Sequence, residues 1–463
     1  MTKLSTIDGG FLLTESQHSP KHVGGLMIFE LPRGKGPAWL RSLLDGMRRQ
    51  PAGFPFNQRL KNKVGLQYEM ETDTDLDIDY HVRHTVLPRP GNEQQFVDVL
   101  GRLHANLLDR ERPLWEFHLV EGLAGRRFAF YVKIHHSLCD GITFGRWIAE
   151  CTSADPKNLK VTPIWARDEA PDEVDDHDIN YLQVISDGVR TLGGGVRTAI
   201  GVSGLTAKMI QRRFFGGDSH IALPLSAPRT SINVQSGSAR TVSFVSCSLK
   251  DLRAIGKPQG CSINDVVMTM CDMAVSRYFE EHHDVPAGPL VAYMPVNLRT
   301  EEDSGDGNLV TLLQVKLAST HTEPLESLEE VRDSIVSARE VFSGGGKSVV
   351  QYYSLMVALL SQFEETLKLD KILPPVNNLV ISNVPGPREM LYLNGAPCIG
   401  MYPISTLPPI TALNVTACSY NGMLYFGLTA ARTVVPDLAV LTSYIIEAMQ
   451  QLADAAGVPI NEA

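Results

Sequence analysis

The segment His135-His136-Ser137-Leu138-Cys139-Asp140-Gly141 gathers the residue types most able to do chemistry in this chain. It follows an apolar run, Phe128 to Ile134, whose aromatic and β-branched content predicts a buried strand. Successive side chains on a strand point to opposite faces, so if both histidines continue it, only one can face a given cavity. His136 shares its parity with Phe130, Val132 and Ile134, whereas His135 goes with Tyr131 and Lys133. We assign the reacting role to His136 and a supporting role to His135. A neutral imidazole, with an ordinary pKa of about 6.5, is the side chain best suited to take a proton near pH 7. Asp140 suits a loop that folds back on itself, where it either orients the histidine or holds the loop shut. Gly141 predicts a backbone conformation or a close approach that a Cβ would forbid.

Other chemistries fit these residues less well. Adjacent strand histidines diverge, and no further His, Cys or Glu completes a ligand set at the usual spacing, so no metal is expected. Nothing nearby marks the Cys139 thiol as activated. On the bare residues, a core histidine pair with satisfied hydrogen bonds is the competing reading. His282 and His283 repeat the doublet, but they follow a polar helix and precede Asp284 and a proline, the signature of a solvated helix end.

The elements that must position the motif mix helices and strands without strict alternation, which predicts an α/β chain of α+β layers. In the first half, helices are expected at Pro37 to Arg49 and Glu93 to Leu108, and strands at Gly24 to Phe29 and Phe128 to Ile134. In the second half, Ser262 to Glu281 carries a Ser or Asn cap followed by a helical apolar period. Strands are expected at Leu290 to Val296, Val310 to Leu317, Asn378 to Ile381, Ala412 to Ser419 and Leu424 to Thr429. At 463 residues the chain exceeds what one core usually supports. We divide it into lobes at 1–178 and 239–463, joined by a basic helical linker at 179–238.

The linker reading rests on a change of texture. An acidic run, Asp168 to Asp178, holds seven carboxylates in eleven residues and must be solvated. From Gly188 to Gly217 there is no Asp or Glu, and Arg190, Arg197, Lys208, Arg212 and Arg213 alternate with apolar residues. That pattern fits either a crossover helix packed on the protein or a helix lying on an anionic lipid surface. The net charge of −10 and the lack of a basic stripe interleaved with aromatics disfavour nucleic acid as a partner. Seven scattered cysteines, never spaced as CxxC, suit a reducing compartment. No apolar run reaches the roughly 18 residues of a membrane span, and Met1 to Gly10 lacks a signal-peptide core, so a cytoplasmic location is expected.

Together with Pro113 to Leu123 (PLWEFHLVEGL), the motif resembles the superfamily of CoA-dependent acyltransferases marked by His-x-x-x-Asp-Gly. More narrowly, the chain resembles the bacterial wax ester synthase/diacylglycerol acyltransferase family. The likeness is carried by Leu4 to Pro32, Ile263 to Val267, Pro295 to Arg299, Gly307-Asn308, Ile381 to Pro387 and Leu413 to Leu428. Gly9-Gly10 and Ala431-Arg432 depart from the family's pattern and bear on substrate preference rather than on reaction class.

The resemblance implies two similar lobes whose interface forms a channel with the motif at its middle. It implies O-acyl transfer from acyl-CoA, a substrate rather than a cofactor, to a long-chain alcohol or a diacylglycerol, and hence a place in wax ester or triacylglycerol biosynthesis. It gives Asn264 a positioning or oxyanion role beside Asp265, Arg299 a pairing with Asp140, and Leu114 and Trp115 a place along the acyl tunnel. Helix capping competes for Asn264, and an ordinary core role competes for Trp115. Peripheral association with the inner membrane face or with lipid inclusions follows from such substrates. A condensation domain forming amide or ester bonds, and a non-catalytic lipid-surface protein, are the alternative readings.

Overall fold

The computed structural model describes residues 2–61, 68–167, 207–212, 220–297, 310–318, 323–343 and 347–460. The acidic run, most of the basic segment 188–217, Arg299 and Gly307-Asn308 lie outside the described residues.

Strands β1 (Thr2–Lys3), β2 (His22–Glu30), β3 (Gln58–Leu60), β4 (Glu69–Thr72), β5 (Val82–Val86), β6 (Trp115–Leu123) and β7 (Arg127–His135) come from the first half. The second half supplies β8 (Arg240–Ser248), β9 (Val291–Asn297), β10 (Val310–Lys316), β11 (Leu379–Val384), β12 (Tyr392–Leu393), β13 (Ala396–Ile404), β14 (Leu413–Tyr420) and β15 (Met423–Ala431). They form two six-stranded mixed sheets, ordered β12-β13-β2-β7-β6-β5 and β10-β9-β11-β14-β15-β8, and a small sheet β1-β4-β3.

In the first sheet, β7 lies antiparallel between β2 and β6, with His22 opposite His135 and Trp115 opposite Ile134. The parity read from the sequence sorts its two faces. Phe128, Phe130, Val132 and Ile134 pack with Leu40, Leu44 and Met47 of the helix Pro37–Arg48 and with Phe144, Trp147 and Ile148 of the helix Gly141–Glu150. The helix Gly141–Glu150 comes this close because position 25 of β2 is glycine; a Cβ there would drive into Ile148 and Phe144. Tyr131 and Lys133 occupy the opposite face under the helix Glu93–Ala105. Lys133 is sealed from solvent, meets Glu116 at 3.1 Å, and donates to the carbonyls of Leu103 and Asn106. That cation sits at the helix's C-terminal carbonyls, where the helix ends at Ala105 rather than at Leu108 as its periodicity predicts.

The second sheet packs against the helices Ile263–Glu281, Pro324–Ser343 and Leu438–Ala455 in one large apolar core. The strands of the segment 239–463 are divided between the two sheets. β12 and β13 leave the second half of the chain and extend the first sheet, where β13 pairs antiparallel with β2. Gly427 of β15 lets the two sheets meet, since a Cβ at that position would overlap the carbonyl of Pro403 in β13. The lobes are therefore tied through backbone, not merely joined by a linker.

Candidate active site

β7 ends at His135, so the two histidines do not both continue the strand. His135 is sealed within the protein. Its Nδ1 accepts from the Ser137 backbone N–H at 3.1 Å and lies 2.7 Å from Ser137 Oγ. Nδ1 as acceptor leaves the ring proton on Nε2, which faces Glu15 Oε1 at 3.4 Å. His136 opens the turn, its backbone N–H donating to the Lys21 carbonyl at 2.8 Å. Its ring lies flat on Phe11, with centroids 4.3 Å apart and planes 12° apart. Unlike His135, it keeps part of its surface open. Burial lowers the pKa of His136, and the Asp140 charge opposes that only in part, so the ring is neutral at physiological pH.

Asp140 is the N-cap of the helix Gly141–Glu150 and accepts from the Thr143 N–H at 2.8 Å. Of the two roles open to it, holding the loop shut is the one this hydrogen bond performs. Gly141 corrects an expectation. No left-handed backbone is required there, and among the described residues a Cβ would meet only Val384 Cγ2, at an ordinary 3.7 Å. The same contact carries positional information, because Val384 ends β11 of the second sheet and so the motif sits where the lobes meet.

Asn264 does not cap its helix. Ser262 does, in a capping box closed by Asp265, whose carboxylate accepts from the Ser262 N–H at 2.7 Å. Asn264 is left to donate to Met294 Sδ at 3.1 Å, on β9 of the second lobe. Arg299 lies outside the described residues. Trp115 departs from the tunnel expectation: it is fully buried, donates its indole N–H to the Phe56 carbonyl at 2.7 Å, and stacks on His81 and Trp165. Leu114 is buried with Leu12 and Leu108, near Leu138 of the motif, and its carbonyl accepts from the His135 N–H. Cys139 is buried in the first lobe's core. His282 caps its helix's C-terminal end and remains partly exposed beside Asp437, as expected.

Sequence reasoning missed Phe11, Glu15 and Lys21. The Glu15 side chain is 2% exposed and takes up the Lys21 N–H at 3.1 Å and Arg110 at 3.0 Å. Burial alone would raise its pKa, but His135, Lys21 and Arg110 outweigh burial and bring it to about 2. Lys21, buried and bonded to Ser19 Oγ, is brought down to about 8 by burial, against the pull of Glu365 and Glu15. The loop that holds these residues also docks on the second lobe, with Arg240 donating to the His18 carbonyl and Ser19 to the Leu407 carbonyl.

This geometry coincides with a family assignment. Residues 4–267 match the wax ester synthase/diacylglycerol acyltransferase catalytic domain, and residues 306–453 match the C-terminal domain of the same proteins. The chain belongs to the wax ester synthase/diacylglycerol acyltransferase family. It is 34% identical to a protein of Mycobacterium tuberculosis named as a probable diacylglycerol O-acyltransferase, covering 97% of this chain and 98% of that one. It is 31% identical to the O-acyltransferase WSD of Acinetobacter baylyi, covering 97% and 96%. The solved wax ester synthase/diacylglycerol acyltransferase of Marinobacter aquaeolei VT8 superposes with a TM-score of 0.77 at 32% identity, covering 99% of this chain and all of that one. A condensation domain of an antibiotic synthetase shares the fold at a TM-score of 0.59 and 15% identity. Membership in this family makes the protein an O-acyltransferase.

Proposed function

We propose that the protein transfers a long-chain acyl group from acyl-CoA to a fatty alcohol, giving a wax ester, or to diacylglycerol, giving triacylglycerol, with His136 as general base. His136 takes the hydroxyl proton as the alcohol oxygen attacks the thioester carbonyl. The tetrahedral intermediate then collapses, the carbon–sulfur bond breaks, and the CoA sulfur leaves with a proton returned from His136. No acyl-enzyme is needed, because both reactants are held together at the junction of the lobes. The observation that carries this reading is a neutral, partly open imidazole lying flat on Phe11 at that junction, next to a sealed histidine that cannot reach a substrate. Asn264 is our candidate for stabilising the oxyanion, from the second lobe's side.

Water competes for the same thioester, so the site must be dry around His136. The lipid nature of the acceptors also calls for a surface on which the enzyme meets them. Among the described residues no helix is long and apolar enough to cross a membrane. Peripheral contact is supported by an exposed patch at the end of the helix Lys347–Thr366, where Phe363, Leu367 and Ile372 stand 55%, 52% and 70% exposed.

The test is a steady-state assay of the full chain with palmitoyl-CoA against hexadecanol and against a diacylglycerol, following free thiol. Ester formation that persists unchanged in His136→Ala defeats the assignment of the base. Absence of any ester with either acceptor in the wild-type protein defeats the substrate reading.

A further inference from the structure

Glu15 is costly where it stands. A carboxylate with almost no solvent exposure loses its hydration and must be repaid by partners. Three cations or N–H groups surround it: the Arg110 guanidinium, the Lys21 backbone N–H and the His135 ring. Arg110 and Lys21 alone would satisfy its oxygens, yet one oxygen also faces His135 Nε2.

We infer that Glu15 is a positioning residue for acyl transfer: facing His135 Nε2, it holds that ring in one tautomer and so fixes the turn that carries His136. This rests on the proposed role of His136 as base. The chain of contacts is short. With its proton on Nε2 toward Glu15, the His135 ring leaves Nδ1 free to accept from Ser137, on the far side of His136. His136 is thus bracketed between two residues locked to each other. Lys21, whose backbone N–H is held by Glu15, presents its carbonyl to the His136 N–H, a second route from the same carboxylate to the same turn. A proton on Nδ1 instead would repel the Ser137 N–H and open the turn. Since a misplacement of about 1 Å in a reacting group can cost on the order of a hundredfold in rate, a device that fixes the base's backbone has a direct kinetic effect.

Glu15→Gln keeps the size of the side chain and removes its charge. Turnover (kcat) should fall about tenfold or more, with KM for palmitoyl-CoA within about twofold of wild type, because Glu15 touches neither reactant. In a His135→Gln background the same substitution should change kcat by less than about twofold, since the ring whose tautomer Glu15 sets is already gone and the glutamine oxygen still accepts from the Lys21 N–H. Equal losses in both backgrounds, or an unchanged kcat in the wild-type background, overturn the inference while leaving the His136 assignment standing; loss of ester formation only in His136→Ala identifies that case. Should Glu15→Gln fail to fold, 15N-histidine NMR of the wild-type protein decides instead. An Nε2–H signal for His135 supports the inference, and an Nδ1–H signal overturns it.

Discussion

His136 can accept a proton only while its ring is uncharged, and its surroundings favour that state. Burial is the larger influence and lowers its pKa below the usual 6.5, with Asp140 pulling the other way. A base with a lowered pKa stays competent at lower pH, so the acid limb of kcat/KM should be centred below about 6.5. A limb centred at pH 7 or above would contradict the assignment. Gly141 offers a second test at this scale. The protein itself leaves room for a methyl group there, and the residue opens a helix, where alanine is preferred to glycine. Gly141→Ala should therefore unfold at the same temperature or slightly higher, yet turn over more slowly, because among the described residues the new Cβ faces Val384 at the junction of the lobes. A fall in thermal stability would show that the glycine serves the fold instead. The turn that carries His136 and Asp140 is legible in the sequence because its residues are contiguous. Phe11 and Glu15 are not, since nothing local to residues 4–32 shows that its helix and loop close over a strand end from residue 135.

Elements were read well wherever one short-range pattern decides them. The parity of β7 gives the apolar and the polar face of the first sheet, and the apolar period beyond Ser262 gives the helix Ile263–Glu281 almost to the residue. What fails is long-range placement. β13 is not among the strands the sequence predicts, and only the pairing of its residues with β2 reveals that it belongs to the other lobe. Trp115 shows the same limit. The family resemblance implies a tunnel wall and a core role competes with it; its neighbours Phe56, His81 and Trp165 come from segments the sequence does not connect, and they surround it as core. Trp115→Phe removes the indole donor and leaves the Phe56 carbonyl buried without its partner, which should cost about 1–3 kcal/mol in denaturant unfolding. The preferred acyl length should not move. A shifted chain-length optimum at undiminished stability would restore the tunnel role.

At the scale of the molecule, the proposed contact with lipid is tested at the charge and apolar surface around residues 363–372. In this stretch Glu364 and Glu365 are buried, while Phe363, Leu367, Lys368, Lys371 and Ile372 are exposed. Arg229, also exposed, binds the carbonyls of Lys371 and Leu373 and adds a third positive charge. Apolar side chains flanked by three cations, with two of the three acids buried and only Asp370 half-exposed, complement an anionic lipid surface. The inner side of the same helix carries Glu365, which acts on Lys21 and Arg240 beside the active-site loop, so a surface docked here lies one helix away from the chemistry. Each half-exposed apolar group contributes on the order of 1 kcal/mol when withdrawn from water, as does each cation near anionic headgroups. The pair Phe363→Ser and Leu367→Ser should therefore weaken partition onto phosphatidylglycerol vesicles roughly tenfold or more. The pair Lys368→Glu and Lys371→Glu should weaken it further at low salt than at high salt, because screening removes only the charge contribution. Flotation measures both. Equal partition of wild type and both variants would move the lipid contact elsewhere, and the natural place to look is the basic stretch 188–217.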